Sequence, residues 1–472
     1  MRRFSLPNKE FYLKRLELTN FRKFGHLHVD FDEHLTVLIG DNGSGKTAIL
    51  DAAAISLGAL LIRVTSPYSA IDGRNIQPSD MRLLPVKTGS TISNQPQPVD
   101  IQADAMFRTR EIRWSRTMNE RQRLGGTLKE ATAVSQTLQD EITQGRQSVL
   151  PLLAYYGTGR LWFHKREKKY SEMVFSRGYS RSNGYIDCLD SANNEKLMLN
   201  WFERMTSLEI QGQQFGTGER LPELDAVRKA LSLCFRDLTG ADKMTVIFDL
   251  KSNSLMLVEY DETGSSMLPF ENLSDGYRNT LSLIADIAYR MAVLNPNAED
   301  ILSSPGVVLI DEIDLHLHPR WQERIIQDLT SIFPRVQFIV SSHAPSVVAS
   351  VKAANLRGIR PLHENEGVEN IDGLAELSGI FDDAYTTYAP SDESYGHDAG
   401  DVLEDVMNAN ERPIQVKRQI EEFHHALDDG KLDLAANKLA DLERTVGPRD
   451  HAVVSGHVAL DLERMDSDYV AD

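Results

Sequence analysis

The sequence predicts an α/β protein, with a mixed β-sheet and flanking helices, a helical insertion and a C-terminal α-helical module. Three observations predict it. An apolar, strand-like run, Leu35–Ile39, feeds the loop Gly40-Asp41-Asn42-Gly43-Ser44-Gly45-Lys46-Thr47, which opens a helix-like segment from Thr47 to Ala54. A second apolar run, Gly306–Ile310, ends in the carboxylates Asp311 and Glu312. Two N-terminal runs, Phe11–Leu18 and His26–Phe31, alternate with the period of two that marks half-buried strands, so an antiparallel layer precedes the first apolar strand.

Composition bounds what the chain can be. At 472 residues, 41% hydrophobic and 25% charged, it is an ordinary soluble chain, long enough for about three domains. No stretch approaches the ~18 uninterrupted apolar residues of a membrane span. The start, Met1–Pro7, lacks the apolar core of a signal peptide, so a cytoplasmic protein without membrane contact is expected. Only two cysteines, Cys188 and Cys234, are present, too few and too isolated for a disulfide framework or a zinc site. A net charge of −18 excludes a surface that is basic all over, so any nucleic-acid contact is local or supplied by a partner.

The loop Gly40–Thr47 is G-x-x-x-x-G-K-T in its strand-to-helix context. Gly40, Gly43 and Gly45, with Asn42 between them, let backbone N–H groups curl toward phosphate oxygens, and the following helix adds the positive end of its dipole. Lys46 suits the β- and γ-phosphates as a point charge, and the Thr47 hydroxyl suits Mg²⁺.

Further along, Ala70–Pro98 is rich in Ser, Pro, Asn and Gly and reads as loop. Strands follow at Val99–Phe107 and Glu111–Arg116, then a Gln-rich segment, Asn119–Gln147, that fits either an exposed helix or a flexible excursion. Val149–Tyr156 reads as a buried strand ending at Gly157-Thr158-Gly159-Arg160, where Arg160 is either a nucleotide contact or a solvated loop residue. Between 164 and 181 basic residues alternate with aromatics, a pattern that suits DNA or tRNA as well as a solvated helix face. Glu195–Leu238 has helical spacing, and Thr245–Leu250 with Leu255–Tyr260 reads as a strand pair.

Leu273-Ser274-Asp275-Gly276 leads into an apolar helix, so a hydroxyl and free N–H groups sit where an anion is stabilised. The carboxylates Asp311 and Glu312 at a strand end suit Mg²⁺ coordination and activation of a water. A further apolar strand, Val336–Val340, ends at Ser341-Ser342-His343.

Together, Gly40–Thr47, Leu273–Gly276, Ile310–Glu312 and Ser341–His343 resemble the Walker A, signature, Walker B and switch-histidine motifs of ABC-type ATPases. The long interval between Gly45 and Leu273 resembles the branch that includes RecF and the structural-maintenance ATPases. The resemblance implies an ABC-ATPase head using ATP and Mg²⁺. Lys46 and Thr47 would bind phosphate and metal, Asp311 would hold the metal, Glu312 would be the general base and His343 would contact the γ-phosphate. Ser274 and Gly276 would complete the site of a second subunit in a head-to-head dimer, with Asp314 at that interface. Asn20-Phe21-Arg22 resembles the N-terminal loop whose arginine reaches nucleotide, which implicates Arg22. The Q-loop glutamine has no clear counterpart; the stretch Ala154–Arg160 stands in its place.

In the tail, Arg412-Pro413 starts a helix broken at Asp428-Asp429-Gly430, a second ends at Gly447-Pro448, and a third includes Val453, Val458 and Leu460. This tail and Tyr155–Arg160 resemble the PtuA-type ATPase subunit of Septu antiphage systems. That implies an ATPase regulating a PtuB-like HNH nuclease partner held by the C-terminal helices. The expected plan is an N-terminal lobe over 1–160, a basic, helical insertion over 161–240 and a C-terminal lobe over 241–360. An acidic linker over 361–400 and a helical module over 401–472 complete it. Two other readings remain: a DNA-repair ATPase of the RecF or SbcC kind, and a scaffold that binds ATP with little turnover. A nuclease active site within the chain is not expected, because its tail carboxylates fall in turns and amphipathic helices rather than at strand ends.

Overall fold

The computed structural model describes residues 10–470 apart from 67–70, 72, 89–90, 162–179, 192–194, 217–220, 240–243, 253, 262–263, 363–383, 391–394, 397–401 and 403–412. The chain divides into two compact units, Met1–His397 and Asp398–Asp472. The first is built on an eleven-stranded sheet. Its strands are β1 (Phe11–Phe21), β2 (Phe24–Asp30), β3 (Leu35–Ile39), β6 (Val99–Phe107), β7 (Arg110–Met118), β8 (Leu124–Gly125), β9 (Leu152–Tyr156), β13 (Gly306–Ile310), β14 (Val336–Ser341), β15 (Leu356–Pro361) and β16 (Ala384–Tyr388). Their order is β8-β7-β6-β1-β2-β16-β15-β3-β14-β13-β9.

One half of this sheet is an antiparallel meander, β8 to β2, and the other is parallel, with β15, β3, β14, β13 and β9 running together. The division follows from the sequence patterns. β3, β9, β13 and β14 are buried along their whole length, as continuous apolar runs covered on both faces must be. In β1 the alternation changes phase: Phe11 and Leu13 are buried, Lys14 and Arg15 both face outward, and Leu16 and Leu18 are buried again. A register shift against β6 between Leu13 and Arg15 accounts for it, since one extra residue exchanges the faces of everything beyond. The buried amide of Gln337 on β14 meets the backbone at this irregularity, accepting from Leu13 N at 2.8 Å and donating to Leu13 O at 2.7 Å.

Helix α1 (Lys46–Gly58) follows β3 and is buried almost throughout. Two β7 side chains grip it from outside: Trp114 Nε1 donates to Ser56 O at 3.0 Å and Arg116 Nη1 to Ile55 O at 3.0 Å. The Gln-rich segment forms α2 (Lys129–Thr143), whose apolar stripe Ala131, Val134 and Leu138 is buried. Helices α3 (Glu195–Gln214) and α4 (Pro222–Thr239) precede a separate three-stranded antiparallel sheet of β10 (Met244–Asp249), β11 (Ser254–Asp261) and β12 (Gly264–Pro269). Helix α5 (Asp275–Leu294) then runs under β9, where Arg290 Nε and the Tyr156 hydroxyl both donate to Asp286 Oδ2 at 2.7 Å, in the buried interior.

The segment expected as loop over 70–98 contains a hairpin, β4 (Leu83–Thr88) with β5 (Thr91–Pro96). β4 opens on the unbroken run Leu83-Leu84-Pro85-Val86 and β5 is mostly polar, so neither shows the alternation that announces a strand. Within the segment expected as an acidic linker, β16 enters the large sheet, parallel to β2 and antiparallel to β15. Most of the basic stretch at 164–181 lies outside the described residues. Arg181 is described, and its guanidinium serves the fold, donating to Leu294 O at 2.5 Å, Ser148 O at 2.6 Å and Arg146 O at 2.7 Å.

The second unit contains the three helices expected of the tail, α6 (Ile414–Asp428), α7 (Leu432–Val446) and α8 (His451–Val470). Phe423, Ala435, Leu439, Leu442 and Val453 form their buried core, which explains their amphipathic spacing. Among the described residues no helix is long and apolar enough to cross a membrane.

Candidate functional site

The loop Gly40–Thr47, the carboxylate pair Asp311 and Glu312, and His343 converge because β3, β14 and β13 are adjacent parallel strands, so their carboxyl ends open on one side of the sheet. There they line one cavity of about 340 Å³, which includes Asn42, Gly43, Gly45, Lys46, Thr47, Asp311, Glu312 and His343, with Arg22 and Lys23 at its margin.

The loop has the backbone its glycines allow. Gly40, Gly43 and Gly45 have φ of 137°, 79° and 107°, a region in which side chains are strained. Gly45 has a second reason: a Cβ there would run into the Phe24 ring. Lys46 Nζ donates to the loop carbonyls Gly40 O and Asp41 O at 2.7 and 3.0 Å. Burial pushes its pKa down to about 8, with Asp311 and Asp41 pulling the other way.

At the opposite wall, Thr47 Oγ1 donates to Asp311 Oδ2 at 2.8 Å and Ser341 Oγ donates to Asp311 Oδ1 at 2.6 Å. The same Ser341 oxygen accepts the Glu312 backbone N–H at 2.8 Å. Glu312 has φ of 48°, a conformation unfavourable for a residue with a Cβ. Its N–H and that of Ile313, which donates to Ser341 O at 3.0 Å, hold the turn in this shape. Asp314 Oδ1 accepts from Ser342 Oγ at 2.7 Å and from His343 N at 3.4 Å, tying the loop after β13 to the end of β14. Burial, and secondarily the Lys46 charge, hold the His343 pKa below its ordinary value, so its ring is neutral at pH 7.

Arg22, at φ of 52°, is held by two carboxylates: Nη2 lies 2.6 Å from Asp51 Oδ2 and 2.8 Å from Asp80 Oδ1. Neither aspartate was singled out by sequence reasoning. Asp51 left a signal, because it is the one charged residue in the otherwise apolar Ala48–Ala54 of α1. Ser274, the N-cap residue of α5, and Gly276 are not among the residues lining the cavity. Gly276 packs so closely under the turn after β13 that a Cβ would come within 2.7 Å of His316 O. β9, the edge strand that ends at Tyr156, contributes its backbone, with Tyr156 O accepting Asp311 N–H at 2.8 Å. The side chain of Arg160 lies outside the described residues.

Comparison with known proteins finds relatives over most of the chain. A family model described as an AAA domain matches residues 15–234. A second AAA-domain model, whose description names the AbiEii toxin and Type IV TA systems, matches 198–349. The Retron Vc95 probable ATPase of Vibrio cholerae serotype O1 biovar El Tor is 27% identical over 454 residues, covering 88% of this chain and 82% of the relative. Septu protein PtuA of Bacillus mycoides (strain KBAB4) is 24% identical over 347 residues, covering 71% of this chain but 39% of the relative, which is the longer protein. Among solved structures, an SMC head bound to the C-winged helix domain of ScpA matches with 18% identity and a TM-score of 0.42, covering 74% of this chain and 94% of that one. The two AAA-domain models together span residues 15–349, and over most of its length the chain is similar to the Retron Vc95 probable ATPase and to Septu protein PtuA.

Proposed function

We propose that this chain binds ATP with Mg²⁺ in the cavity and hydrolyses it as the ATPase subunit of an antiphage defence complex. The observation that carries the reading is the convergence of Lys46, Thr47, Asp311, Glu312 and His343 on one cavity. The donor set fits the group: the Thr47 hydroxyl and Asp311 carboxylate, 2.8 Å apart, are the hard oxygens that Mg²⁺ selects. Mg²⁺ held there supplies charge neutralisation at the β- and γ-phosphates.

Lys46 supplies a fixed positive charge at the cavity floor, and the loop N–H groups supply donors to phosphate oxygens. Glu312 is the base that orients a water, and its backbone conformation aims the side chain from the strand end. The neutral His343 ring offers one hydrogen bond to the terminal phosphate. Because Ser274 and Gly276 stand away from this cavity, the reading assigns them to the nucleotide of a second copy, in a head-to-head dimer with Asp314 at its interface.

The defence role and the HNH nuclease partner rest on the similarity to Septu PtuA. An exposed apolar stripe on α8, Val454, Val458 and Leu462 at four-residue spacing, supports the tail as the docking element. The test is phosphate release and light-scattering mass with and without ATP. Wild type is expected to turn over and dimerise, whereas Glu312→Gln is expected to dimerise with turnover lost. Equal turnover by the two proteins would refute Glu312 as the base and with it this site.

A further inference from the structure

Arg22 is anchored with more care than a solvated loop residue needs. Its turn carries two residues in the left-handed region, Asn20 and Arg22, both at φ of 52°. Residues 80–82 hold that turn in shape. Arg22 N donates to Asp80 O at 2.8 Å, Arg82 N donates to Asn20 O at 3.0 Å, and Phe21 bridges to Met81. The side chain returns to the same residue, where Nε and Nη2 both donate to Asp80 Oδ1, at 3.0 and 2.8 Å. Asp80 is itself fixed, because its Oδ2 accepts Gln77 N–H at 2.9 Å.

The second anchor comes from the phosphate-loop helix. Asp51 stands one turn beyond Thr47, and its Oδ2 lies 2.6 Å from Arg22 Nη2. Its Oδ1 accepts from the Tyr155 hydroxyl at 2.8 Å and pairs with Arg74 Nη2 at 2.9 Å. Both aspartates are buried, while Arg22 keeps 30% of its side chain exposed and lines the cavity. Two faces of the guanidinium fork are therefore occupied by carboxylates, and the Nη1 edge makes no hydrogen bond among the described residues. A planar fork fixed along one side presents its remaining donors in one direction with little rotamer entropy left to lose.

We propose that Asp80 and Asp51 are positioning residues that aim the Arg22 Nη1 edge at the phosphates of a bound nucleoside triphosphate. Through Asp51 and Tyr155, the aim of that arginine is tied to α1 and β9, the elements that flank the phosphate loop and the carboxylate strand. This inference rests on the cavity being the nucleotide site.

The test is equilibrium binding of a fluorescent ATP analogue to the full chain, with Lys46→Ala as the control for the site itself. Absence of wild-type binding, or Lys46→Ala binding as wild type does, would remove the nucleotide reading rather than the clamp. With that control passed, Arg22→Ala and Asp80→Asn are each expected to weaken binding about 10-fold, roughly one tenfold step per 1.4 kcal/mol. The double variant is expected to be no weaker than Arg22→Ala alone, and Asp80→Glu to recover part of the loss. A merely structural Asp80 would lower the melting temperature and add its effect to that of Arg22→Ala. Additive losses, or wild-type affinity in Asp80→Asn, overturn the proposal. If Asp80→Asn does not fold, the same cycle is run with Tyr155→Phe, which loosens Asp51 by one hydrogen bond.

Discussion

Ser341 Oγ stands between the two carboxylate residues at the end of β13, donating to Asp311 Oδ1 at 2.6 Å and accepting the Glu312 N–H at 2.8 Å. One hydroxyl thus sets both the orientation of a side chain and the left-handed turn of its neighbour. Replacing it with Ala leaves a buried carboxylate oxygen and a backbone donor without that partner, each costing about 1–3 kcal/mol. Ser341→Ala is expected to reduce kcat for ATP about 10-fold or more with KM nearly unchanged. Steady-state phosphate release checks it, and an equal loss in both parameters would count against an orienting role.

Gly45→Ala is expected to abolish nucleotide binding without unfolding the chain. The new methyl meets the Phe24 ring, and φ of 107° is strained for any residue but glycine. Phe24 packs edge-on against Tyr385 at 5.2 Å, so the ring has no free space to retreat into. Titration with a fluorescent ATP analogue, with circular dichroism as the folding control, checks this. Restored binding in Gly45→Ala with Phe24→Leu would identify the ring as the obstacle.

The Asp286–Arg290 pair is buried on both sides, with Arg290 Nη1 also donating to Gly184 O and Ile186 O at 3.0 Å. Removing one partner strands the other charge in the interior, which typically costs about 3–5 kcal/mol. Arg290→Met is expected to lower the denaturation midpoint sharply. Asp286→Asn with Arg290→Met is expected to be less damaging than the single change, because the uncompensated charge is gone. Urea titration of the variants decides it.

His26 sits on β2, mostly buried, with Glu17 Oε1 at 3.8 Å and a pKa held below its ordinary value chiefly by burial, with Glu17 opposing and His28 assisting. The unfolded chain takes up a proton near pH 6.5, while folded His26 does so only at lower pH. Stability therefore falls as pH drops through about 6.5, since the unfolded state binds the extra proton. His26→Gln is expected to flatten the stability profile between about pH 5 and 6.5. Melting temperatures across that range in wild type and variant provide the check.

Much of this was legible in the sequence, and the parts that were not share a physical cause. The β3–loop–α1 unit, the strand ending at Asp311 and the strand ending before His343 are local signals, readable because apolar runs and special residues lie side by side. The tail helices were readable from period and from the breaks at Gly430 and Gly447. By contrast, β12 carries exposed residues along nearly its whole length, so it lacks the alternation that betrays a strand. β16 is a short strand inside an acidic surround; Tyr385-Thr386-Thr387-Tyr388 suits a strand, but five residues are too few to stand out until β2 and β15 pair with them. The clamp on Arg22 was hidden for another reason. Its members, at 22, 51, 74, 80 and 155, are brought together by the sheet and carry no spacing of their own.

β16 also has a consequence for biosynthesis. It is the last strand of the large sheet to leave the ribosome, yet it occupies an inner position between β2 and β15. Until residue 388 has emerged, the parallel half and the N-terminal meander each end in a bare edge, and the sheet exists as two pieces. A nascent or truncated chain that stops short of Ala384 therefore carries the loop Gly40–Thr47 and both carboxylates together in the parallel half, without the strand that joins this half to the meander bearing Arg22.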